Sequence, residues 1–142
     1  MLRSALAIFA GIVVLTITSF AIEAVADPLL LRMFPNALPN RAAISHNLPA
    51  SLFQLAYTLA SIAAGGYVTA WLARRSQVRD AVVMGAIELA LTVWAMFAFP
   101  NEAPLRNWIL SMLLIVPAAW CGALVRLRSS PHRAGEITRV RS

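Results

Sequence analysis

The chain has 142 residues, 60% of them hydrophobic, a mean hydropathy of +0.73 and a formal net charge of +6. A water-soluble domain of this length has too little interior to hide that much apolar surface. All twelve basic residues are arginines. They flank apolar blocks instead of lining one helix face, which argues against a nucleic-acid partner.

The apolar residues fall into four uninterrupted blocks, Ser4 to Ile22, Ala50 to Leu72, Ala81 to Phe99 and Trp108 to Val125. Roughly 20 residues of helix cross the roughly 30 Å hydrocarbon layer, so each block predicts one span. Isolated strands would leave backbone groups unpaired in lipid, so the spans must be helices. The expected fold is an all-α membrane protein, an antiparallel four-helix bundle of two hairpins. Its transmembrane domain covers 1–128 and a basic tail covers 129–142.

The first block follows Arg3 and ends before Ala24-Val25-Ala26, which resembles a signal-peptide cleavage site. Its apolar stretch exceeds the usual 7 to 15 residues of a signal, which favours a retained helix. In the long connection that follows, Asp27-Pro28 offers an N-cap and a first-turn proline ahead of Leu29 to Phe34, predicting a short interfacial helix. Pro35, Asn36, Pro39 and Asn40 then break any helix. Glu23 and Asp27 lie one turn apart and, with His46, form a candidate outer-face cluster. Pairing with Arg32, Arg41 or Arg106 is the expectation there, ahead of a divalent cation.

On the second span Ser51, Gln54, Thr58, Ser61 and Gly65 share a helical face, which suits either close packing or the wall of an aqueous path. Ala56, Ala60 and Ala64 form a small-residue ridge, Gly65 and Gly66 permit close approach, and Ala118 with Gly122 suggests a second ridge near Pro117. The third span carries Gly85, Glu88, Thr92 and Ala95 on one face. An ionised acid at a helix centre costs about 2.5 to 3.5 kcal/mol, so Glu88 is the leading functional candidate. Its two readings are an interhelical hydrogen bond to Tyr67, with Thr92 nearby, and a proton or cation pathway. Cys121, the lone cysteine, excludes an internal disulfide and reads as a buried small apolar residue.

Nine arginines (3, 74, 75, 79, 126, 128, 133, 139 and 141) flank one side of this arrangement and three (32, 41 and 106) the other. Positive charge stays inside, so both termini are expected in the cytoplasm, with the arginine-rich ends against anionic headgroups. Sliding the chain by 65 positions brings eight matches among the 21 positions from Ala21 to Arg41, among them Glu23 on Glu88 and Arg41 on Arg106. Duplication of a hairpin and biased composition both explain that echo.

Gly65-Gly66-Tyr67 through Ala73-Arg74-Arg75, Trp94, and Pro117 followed by Cys121 to Arg126 resemble small four-helix bacterial inner-membrane proteins without an assigned activity. That resemblance implies a bacterial inner membrane and nothing about catalysis or cofactors. Small multidrug-resistance transporters also have four helices and an essential glutamate, but theirs lies inside the first helix, whereas Glu23 ends the first block here. Their site is not carried over. No nucleophile, phosphate-loop or metal motif is present. The expectation is therefore a non-enzymatic accessory or scaffold protein acting through helix contacts, free of cofactor and metal, that joins other membrane subunits or its own copies. The alternative is a small transporter using Glu88.

Overall fold

A computed structural model describes residues 2–73, 76–101 and 103–129, all of it helix and connecting turn, with no strand among them. The helices are α1 (Leu2–Met33), α2 (Arg41–His46), α3 (Leu48–Leu72), α4 (Gln77–Ala98) and α5 (Leu105–Arg128). All but α2 are long and apolar enough to cross a membrane, and together they form a packed, multi-pass bundle. The tail from 130 onward, with Arg74 and Arg75, lies outside the described residues.

Large apolar side chains point away from the bundle on all four long helices, among them Phe9 (66% exposed), Phe53 (51%), Phe97 (75%) and Leu113 (66%). In water such a surface would drive aggregation; against acyl chains it costs nothing. Helix association then has to come from close packing instead of hydrophobic burial. One side chain or more from each long helix meets at the centre: Leu15 of α1, Ile62 of α3, Met84 of α4, and Ile115 with Ala119 of α5. Below this layer Ala70, Ala81 and Ala123, with side chains one methyl deep, close the end of the bundle at the α3–α4 turn, labelled inner after the expected orientation, the α2 end being labelled outer.

Helix α3 is the hub, packed against α1 on one side and α5 on the other, while α4 leans mainly on α5. Missing side chains set these distances. A Cβ on Gly11 of α1 would lie 2.8 Å from the Gly65 carbonyl oxygen, and one on Gly65 would lie 2.7 Å from that of Gly11. On the other face a Cβ on Gly66 would collide with the Ala119 carbonyl, and one on Gly122 with the Ala63 carbonyl. Gly65, Gly66 and Gly122 are thus packing residues, as expected. The alanine ridge is not: Ala56 and Ala60 are exposed and Ala64 only half-buried, because the two glycines turn the adjacent face of α3 toward its neighbours. Ala119, one residue past the expected Ala118, makes the close contact on α5. Ala60→Leu therefore should change stability by no more than about 0.5 kcal/mol in a detergent-unfolding titration.

Two further expectations need correction. Helix α1 does not stop near Ile22 but runs through Ala24-Val25-Ala26 and Pro28 to Met33, so Asp27 is no N-cap. Its 32 residues make a rod about 48 Å long, well over the hydrocarbon thickness. Continuing the helix lets Leu30 and Leu31 pack on Leu38, Ile44 and Ala50, which offsets the hydrogen bond lost at Pro28. The short helix of this connection is instead α2. Asn40 caps it by accepting from the Ala43 N–H at 3.0 Å, and Asn47 caps α3 by accepting from Ala50 at 3.3 Å. Cys121 is exposed on α5, two positions past the buried Ala119 and so on the opposite side of the helix from it.

Candidate functional site

Charge and polarity gather at three levels of the bundle. At the outer level, Arg41 at the start of α2 reaches back across the turn to α1. Its Nε donates to Asp27 Oδ2 at 2.7 Å and its Nη2 to Glu23 Oε2 at 3.2 Å. Asp27 is 3% exposed and also accepts from the Tyr57 hydroxyl of α3 at 3.3 Å, while Phe53 packs edge-on against that ring at 5.9 Å. One carboxylate thus joins α1, α2 and α3. The i, i+4 spacing of Glu23 and Asp27 lets a single guanidinium bridge both acids.

His46 does not join them. It is exposed, and its backbone carbonyl accepts from Arg106 Nη2 of α5 at 3.1 Å, beside an Asn107 to Ser45 carbonyl bond of 2.9 Å. Among the described residues no three His, Cys, Asp or Glu side chains could hold a metal ion. Tyr57 is the member the residues alone did not reveal, since 30 positions separate it from Asp27 and no local motif links them. The echo between Arg41 and Arg106 has no common role either: one binds two carboxylates, the other a backbone carbonyl.

At mid-height, Glu88 continues the α4 stripe of Ala81, Met84 and Gly85, which face the bundle. Its carboxyl makes no hydrogen bond or ion pair among the described residues; the Thr92 hydroxyl donates to its backbone carbonyl at 2.9 Å. The bond to Tyr67 does not form, and depth explains why. Met84 reaches the position of a Gly65 side chain, so Glu88, one turn further out, is level with Ser61 and Ile62 instead of Tyr67. Tyr67 sits at the α5 interface, its backbone nitrogen 2.9 Å from where a Gly122 side chain would be. Glu88 is half-buried, because α4 is buried only along its inner half, at Asp80, Ala81, Met84 and Gly85.

At the inner level, Asp80 is 2% exposed in the first turn of α4. It accepts from Ser76 Oγ at 2.8 Å and pairs with Arg79 at 3.5 Å. Ser76 stands at the N-cap position, but its hydroxyl goes to this carboxylate and not to a backbone N–H. The negative charge then sits at the positive end of the α4 dipole.

No family model matches the chain, and no curated protein or solved structure shows significant similarity to it.

Proposed function

We propose that the protein is a non-enzymatic accessory or scaffold subunit of a bacterial-type inner membrane, working through contacts between its helices and those of other membrane chains or of its own copies. The observation that carries this reading is the Glu88 carboxyl, held at mid-height on the bundle side of α4 and bonded to nothing among the described residues. Beyond Gly85 α4 has no buried residue and Glu88 is only half-buried, so a helix arriving from another chain can reach the carboxyl and supply the hydrogen bond from which a polar group in lipid gains most. The glycine and alanine contacts that close the inner half favour a packed element over a through-going path. Both termini lie in the cytoplasm in this reading, with Arg79, Arg126 and Arg128 toward anionic headgroups.

Glu88→Gln keeps hydrogen bonding but removes ionisation; Glu88→Leu removes both. Stoichiometric co-purification of a membrane partner or of a second, differently tagged copy in mild detergent should survive Gln and fall at least fivefold with Leu. Partner capture that is indifferent to Leu, or that is absent from the wild type, overturns the proposal. The unpaired carboxyl also keeps a second reading in view, a proton or cation pathway; flux into liposomes that disappears in Glu88→Gln would establish it. Orientation has its own check: reporter fusions after Leu48 and Arg75 should report opposite sides of the membrane, the first outside.

A further inference from the structure

We infer that the outer half of the bundle contains a binding site for a small uncharged solute carrying both hydrogen-bond donors and acceptors, of the amide or polyol class. The site is a cleft of about 230 Å³ between α3 and α5, roofed by the end of α2. Its polar lining comes from three helices: Ser45 of α2, Ser51, Gln54 and Thr58 of α3, and Asn107 and Ser111 of α5. Two bonds fasten the roof, Asn107 to the Ser45 carbonyl and Arg106 to that of His46, so the cleft has a defined mouth at the outer end.

Among the described residues the lining contains no charged side chain. A cation entering would shed its hydration with no counter-charge to receive it, at a cost of several kcal/mol, and Arg106 at the roof is engaged with the His46 carbonyl instead of lining the cleft. A neutral solute meets complementary groups. Ser51 and Thr58 already donate their hydroxyl protons to the Leu48 and Gln54 carbonyls, which leaves their oxygens as acceptors. Donors come from the same wall, from the Gln54 amide and the Ser111 hydroxyl, while the Trp108 ring lines the cleft with its indole Nε1 buried out of an occupant's reach. The volume is near that of roughly eight waters and below the ~300 Å³ floor of drug-sized pockets, which suits an occupant of a few heavy atoms. Leu52, Leu55 and Leu110 complete the wall and would cover the solute's carbon skeleton.

The site is tested on the full chain in micelles by following the indole N–H resonances of its four tryptophans while acetamide, and separately glycerol, is added. The Trp108 signal, assigned by its loss in Trp108→Phe, should move along a saturating curve, with those of Trp71, Trp94 and Trp120 shifting less than a third as far and without saturation. Ser111→Leu should fill the cleft and abolish the saturable shift while leaving the other three signals in place; Thr58→Val should weaken it several-fold if the larger side chain prevents folding. A Trp108 shift that stays linear, equals that of the other indoles, or saturates with inorganic phosphate instead overturns the assignment. Selective broadening of Trp108 by spin-labelled lipid would do the same, since it would place an acyl chain in the cleft.

Discussion

Gly66→Ala should lower the free energy of unfolding in a denaturing-detergent titration by about 1–3 kcal/mol, and Gly66→Leu should leave no folded protein to titrate. The added Cβ has no free volume: it meets the carbonyl oxygen, Cα and carbonyl carbon of Ala119. All three atoms belong to the backbone, so trimming the neighbouring side chain cannot make room. Ala119→Gly should therefore fail to rescue Gly66→Ala. Gly85 provides the contrast, because the Cβ of Gly85→Ala would lie 3.0 Å from the Ala119 methyl group. Ala119→Gly should restore most of what Gly85→Ala loses. Equal rescue of both variants would mean that backbone contact between α3 and α5 does not set the helix spacing.

The second large effect is expected at the outer level and is asymmetric. Removing one partner of a fully buried ion pair costs about 3–5 kcal/mol, since the other charge is left stranded. In Arg41→Ala the stranded group is Asp27, whose side chain is 5% exposed, with only the Tyr57 hydroxyl left to it. Arg41 itself is 68% exposed and solvent already screens it, which brings the expected loss to about 2 kcal/mol. Asp27→Asn should cost about half as much: the exposed guanidinium keeps Glu23 and water, and the amide oxygen still accepts from Tyr57. Joining the two substitutions should then cost less than the sum of the single losses, because no stranded carboxylate remains. Additive losses in the same titration would show that the guanidinium and carboxylate do not interact in the folded bundle.

These two sites differ in how far residue order alone reveals them. The Gly65-Gly66 pair is visible in the sequence as small residues in an apolar run, and lipid makes small residues the natural contact points between helices. What order could not supply is the rotation of α3. The alanine ridge at positions 56, 60 and 64 has the same periodicity as the glycine face, but only the glycines let two neighbours approach within backbone contact, and so they decide which face turns inward. The outer cluster shows the same division. Glu23 and Asp27 are paired by helical spacing, which is local, whereas Arg41 and Tyr57 arrive from 14 and 30 positions beyond Asp27.

Span number, the approximate limits of the second, third and fourth helices and the bundle class follow from chain order because each depends on a local quantity, the length of an apolar run against the thickness of the hydrocarbon layer. The course of α1 through Pro28, the exposed Cys121, the level of Glu88 against Ser61 instead of Tyr67, and the polar cleft beneath α2 were decided only by packing. Each depends on how far one helix is shifted and turned against another. In a membrane that choice is made by backbone contacts between helices, which no hydropathy pattern encodes.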